Sequence, residues 1–145
     1  MYHKLFLSLS AILLTMMCTV TTHAVNTISI AAVVNDKVIT HKDLEDRLRL
    51  TLLGAQRQPT AEERTALKQK IVRQMVEEIL QLQETKMFDI DAEPEEIAHH
   101  LKEVEKNNNL APGELDKKLS AASIPKQTLI DQTRANIAWA NLSCN

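Results

Sequence analysis

The run from Thr60 to Phe88 contains neither Gly nor Pro and reads as one long helix. Thr60 with Glu63 three residues on forms a capping box, and Glu62 and Glu63 place acid in the first turn, where the helix dipole favours it. At the α-helical rise such a run is about 40 Å long. Stepping about 100° per residue, Leu67, Ile71, Val72, Met75, Ile79 and Leu82 cover one side. Val76, Leu80 and Met87 widen it, while Lys70, Arg73, Gln74, Glu77, Gln81 and Glu84 hold the other. The apolar arc is roughly 220° wide, against about 100° for an ordinary surface helix. This helix must be covered from two directions, by other helices of the chain or in part by a docked partner.

Upstream, Lys4, the apolar run Leu5 to Val20 and the small-residue ending Thr22-His23-Ala24 form a secretory signal peptide, residues 1–24, with cleavage after Ala24. The run is short for a membrane span, and no basic stop-transfer cluster follows it, so no span is expected after cleavage. Residues 25–145 are then one small domain. Cleavage removes Lys4, leaving 16 of 17 basic residues against 19 acidic ones without a basic stripe, which argues against nucleic acid as a partner. Cys144 stays as the single cysteine, so no internal disulfide can form. Pairing between chains is possible there, although an inert thiol at a frayed end is the simpler expectation.

The one β signal spans Ile28 to Thr40. Ile28, Ile30, Ala32 and Val34 alternate, Asn35-Asp36-Lys37 turns the chain, and Val38-Ile39 returns. Thr40 caps a helix with Asp43 at its third position and Leu44, Leu48 and Leu52 on one stripe, closed at Gly54. Beyond Phe88, Pro94 opens a third helix with Ile97, Leu101 and Val104 on its buried side, ending at Asn107-Asn108-Asn109. Leu110 and Leu115 stand at staple positions around Ala111, placing Pro112 first in a short fourth helix that carries Leu119. A last helix starts over Ser123 to Pro125. Leu129, Thr133, Ile137 and Ala140 share one face of it, and Trp139 and Leu142 make a second apolar side.

No catalytic constellation emerges. His99 and His100 diverge by about 100° and cannot chelate one ion as an i, i+4 pair does, so no metal site is expected. The acid pairs Glu62-Glu63, Glu77-Glu78 and Glu95-Glu96 read as helix-surface charges. Gly54 and Gly113 are the only glycines, too few for a phosphate-cradling loop, and no cofactor is expected.

The run Ala31-Ala32-Val33-Val34-Asn35-Asp36-Lys37-Val38-Ile39-Thr40, with His41-Lys42-Asp43-Leu44 behind it, resembles the opening of SurA-type periplasmic chaperones. Ile71 through Lys86 resembles the long helix of their N-terminal domain, and Asn107-Asn108-Asn109-Leu110, the helix to Leu119 and the Arg134 region continue in the same order. The resemblance implies a mainly α multi-helix domain with a short N-terminal β-hairpin, organised around the helix at about 61–88. Relatives often carry Gly where this chain has Lys37, a cost of about 1 kcal/mol if that position keeps φ > 0. Relatives also continue into parvulin prolyl-isomerase domains that do not follow Asn145 here, so the resemblance implies the chaperone module without the isomerase. It implies a periplasmic, ATP-independent holdase for unfolded outer-membrane proteins. The expected client surface is the uncovered part of the long helix, Val76, Leu80 and Met87, with Trp139 and Leu142 at its rim. The same surface could instead close on a second copy as a homodimer or on a separate partner, and the chain could be a truncated remnant of a longer relative.

Overall fold

The computed structural model describes residues 29–144; the signal peptide expected over residues 1–24, Ile28 and Asn145 lie outside them. Strands β1 (Ile30–Val34) and β2 (Lys37–Thr40) form an antiparallel hairpin, followed by helices α1 (His41–Thr51), α2 (Ala61–Met87), α3 (Pro94–Asn107), α4 (Glu114–Ala121) and α5 (Lys126–Ser143). The protein is mainly helical, as expected, and α2 has almost the predicted bounds.

In the hairpin, Val34 faces Lys37, Val33 faces Val38 and Ala32 faces Ile39, with a register shift between Ile30 and Ala32. The turn is tighter than expected. Asn35 takes the left-handed conformation at φ 54°, Lys37 already belongs to β2, and its replacement of Gly therefore carries no backbone strain. Val34 and Ile39 are buried on the inner face, and β1 lies on α1 and α2.

Local chemistry sets the helix starts. The Thr40 hydroxyl accepts from the Asp43 amide while the Asp43 carboxylate accepts from the Thr40 amide, and Thr60 and Glu63 repeat the arrangement at α2. The Glu96 carboxylate accepts from the Glu93 amide at the start of α3, with Pro94 in the first turn. Helix α4 starts later than expected. Gly113 is left-handed at φ 79° and cannot continue a helix, so Pro112 falls in the preceding turn, although Glu114 still reaches back to the Ala111 amide at 2.9 Å.

Two apolar clusters make the core. Leu44, Leu48 and Ile71 pack with Ala31, Leu52, Leu67, Val72 and Met75, joining α1 to α2 and the hairpin. Leu115, Leu119 and Ile124 pack with Leu50, Leu53, Val104, Leu110, Ala122 and Leu129, seating α4 against α5 and the end of α1. Helix α5 packs along α2 and is buried on two sides: the expected stripe is covered at Leu129, Thr133 and Ile137 but not at Ala140, and a second face lies beside it. Thr133 is buried and Ala140 exposed, while Ala135 and Ala138 are fully enclosed and Leu142 continues their face. Alanines there bring the helix axes close.

Candidate functional site

Three helices each turn a stripe of residues into a cleft of about 260 Å³, and one strand borders it. Met75, Glu78, Ile79 and Leu82 come from α2 at i, i+3, i+4 and i+7, and Thr128, Asp131 and Arg134 come from α5 at three-residue steps. Asp43 and Arg47 stand one turn apart on α1, and Val38 and Ile39 come from β2. Its lining combines apolar and charged side chains.

The strongest polar feature is the pair between Arg47 and Glu78. Both guanidinium Nη atoms donate to the two carboxylate oxygens at 2.8 Å, and the side chains are only 7% and 15% exposed. Arg47 Nε is buried and donates to no acceptor among the described residues. Glu78 is therefore not the helix-surface charge expected from its place beside Glu77.

Around the rim the charges are engaged. Asp43 serves the α1 cap, and Asp131 accepts from Gln127 Nε2 at 2.6 Å. Arg134 donates through Nε and Nη2 to Asp91, tying α5 to the loop between α2 and α3. The Arg134 hydrogen bond holds the Asp91 carboxyl below its usual range, and Asp91 in turn raises the pKa of Arg134. Both shifts favour the charged forms. Among the described residues that line the cleft, Thr128 carries the only hydroxyl, and there is no imidazole or thiol. The lining residues do not assemble a nucleophile beside a base.

A second, larger cleft of about 610 Å³ lies at the other end of α1, between Leu50, Leu53, Val104, Leu110, Leu115 and Leu129, with Lys118 and Asn108 at its edge. It opens over the second core cluster.

None of the residues expected to meet a client lines either cleft. Val76, Leu80 and Met87 form a separate stripe on α2, about 130° round from the cleft-lining one. Leu80 and Met87 on it are 47% and 77% exposed, whereas Val76 is half-buried. Trp139, 39% exposed, and the half-buried Leu142 lie in the last turns of α5. Phe88, at the end of α2, adds to the exposed apolar surface. The cleft itself was not foreseen. Its one sequence signal is Arg47, a charge in the buried turn between Leu44 and Leu48.

His99 and His100 are solvent-exposed, with His99 beside Glu103 at 3.5 Å. Among the described residues no cluster could hold a metal ion, and no helix is long and apolar enough to cross a membrane. Cys144 is a free, exposed thiol at the end of α5.

Comparison with known proteins places this architecture. The profile of the SurA N-terminal domain family matches residues 28–143. The chain is 29% identical over 114 residues to Chaperone SurA of Methylobacillus flagellatus, a match over 78% of this chain and 26% of that protein. To Chaperone SurA of Aliivibrio fischeri it is 24% identical over 129 residues, 86% of this chain and 29% of that protein. The chain thus spans between a quarter and a third of the length of these curated relatives.

Proposed function

The chain belongs to the SurA N-terminal domain family, and from that premise we propose that it is an ATP-independent periplasmic chaperone that holds unfolded outer-membrane protein segments. Export would rest on the signal peptide over residues 1–24 and its cleavage after Ala24. No covalent step is needed. Holding an unfolded segment requires only reversible burial of its apolar side chains, so that they and the strand edges beside them do not meet those of another chain.

The observation that carries this reading is the apolar surface left open on a helix otherwise built into the core. Leu80 and Met87 stand in solvent on the same helix whose Ile71 is buried. Exposed apolar stripes on a stable scaffold bind other apolar chains. In this account Val76, Leu80 and Met87 contact the client, and Trp139 and Leu142 contribute from α5.

The test is a double change, Leu80→Ser with Trp139→Ser. Leu80 and Trp139 are 47% and 39% exposed, so helix content should stay near that of the unchanged protein, while affinity for an unfolded outer-membrane protein drops about tenfold, as loss of two apolar contacts implies. Unchanged affinity would contradict this assignment of the client surface. A second copy is the competing occupant, and a concentration-dependent dimer dissociated by the same two changes would favour it.

A further inference from the structure

The cleft at β2 lies along a strand edge. Successive strand residues point to opposite faces, yet both Val38 and Ile39 line it and no residue of β1 does. A space touched by both faces of β2 and by neither face of β1 runs beside the outer edge of β2.

That edge is open. Val34 and Lys37 close the two-residue turn, so by the alternation of antiparallel pairing Val33 and Val38 form a pair of the non-hydrogen-bonded kind. The N–H and C=O of Val38 then point outward, away from β1. Among the described residues no backbone hydrogen bond from another element reaches Val38. The next outward amide, that of Thr40, is held by the Asp43 carboxylate at 2.9 Å, which ends the free edge. Met75, Ile79 and Leu82 line the same cleft, as does Arg47, whose buried Nε–H has no acceptor among the described residues.

We propose that this edge captures an extended client segment as a third strand. The client's main chain pairs with the N–H and C=O of Val38, and its side chains on the Ile39 side rest on Met75, Ile79 and Leu82. The inference rests on the holdase reading and gives it a substrate class: segments in which apolar and polar residues alternate, as in a half-buried β-strand. An open strand edge is satisfied by an extended chain and not by a helix, which fixes the conformation of the occupant. A second copy of this protein is disfavoured. A four-residue strand edge offers only a small part of the roughly 1,200–2,000 Å² buried in a stable protein interface. A small site with few hydrogen bonds suits a ligand that must be released.

The probe is a dye-labelled peptide of about nine residues, valine alternating with threonine and ended by lysines, titrated into the purified protein by fluorescence anisotropy. Two further versions carry N-methyl groups on all valine amides or on all threonine amides. A docked strand turns only one of these two sets towards β2. Methylation of that set should weaken binding about tenfold and methylation of the other less than about twofold. Methylated peptides that bind alike overturn the proposal. On the protein side, Val38→Pro removes the outward amide and should abolish the preference, whereas Val33→Pro, the matching change on β1, should keep it; circular dichroism checks that both fold. A dimer in sedimentation that Val38→Pro renders monomeric would identify a second copy as the occupant and overturn it too. Suppressed aggregation of an unfolded β-barrel protein, with methylated peptides that bind alike, leaves the holdase reading standing without strand capture. Folded protein that suppresses no aggregation removes the holdase reading itself.

Discussion

Arg47 shows how much one residue can depend on the whole chain. It occupies the same turn of α1 as Leu44 and Leu48, both buried, and its guanidinium is enclosed only because Glu78, 31 residues away, arrives with two acceptors at 2.8 Å. A buried charge stripped of its partner destabilises by about 3–5 kcal/mol, whereas replacing both members with apolar residues of similar volume is often neutral. Glu78→Ala should therefore lower the urea midpoint sharply, and Arg47→Met with Glu78→Leu should recover most of it. A single Glu78→Ala change as mild as a surface substitution would show that the pair is solvated. The sequence offered only half of this pair, a charge in an apolar turn. Glu78 looked like one of several surface acids, because the spacing along α2 says nothing about which helix will cover it.

At the scale of elements, the legible features are those whose partners lie within three or four residues. The capping boxes of α1 and α2 could be read directly, since Thr40 with Asp43 and Thr60 with Glu63 need only their own turn. The start of α4 could not. Leu110 and Leu115 fit a staple around Ala111, but the left-handed Gly113 delays the helix, and a glycine alone does not reveal the sign of its φ. In α5, Ala135 and Ala138 escaped notice because small side chains barely register in an apolar stripe, although they allow the closest approach.

The α2 cap also carries a pH signature. Arg57 donates to Glu63 and the Thr60 amide adds a second bond, lowering the Glu63 carboxyl from 4.5 to about 2. A carboxyl depressed on folding contributes stability that is complete above its unfolded pKa and is lost as pH falls towards the folded one. The difference in melting temperature between the protein and its Glu63→Gln variant should thus be constant above about pH 5 and shrink between roughly pH 4.5 and 2. The effect will be small, because Glu63 and Arg57 are well exposed. A difference that grows on acidification would contradict the assignment.

Across the whole molecule, the wide apolar arc of α2 anticipated a helix engaged on more than one side, and that is what α1, the hairpin and α5 provide. Which part of the arc would stay open was harder to read. Coverage depends on where α5 crosses, and that is set by Ala135, Ala138 and the Arg134–Asp91 pair, none of them visible in the periodicity of α2. The cleft beside β2 was hidden for the same reason, since its stripes come from separate elements and meet only after folding. Family membership and the open apolar surface both support the proposal that this chain keeps unfolded clients from associating. The most direct test is light scattering of a urea-unfolded β-barrel protein diluted with and without the purified chain. Suppression at near-stoichiometric amounts, without nucleotide, is the predicted result. Undiminished scattering in the presence of chain shown by circular dichroism to be folded and helical would contradict it.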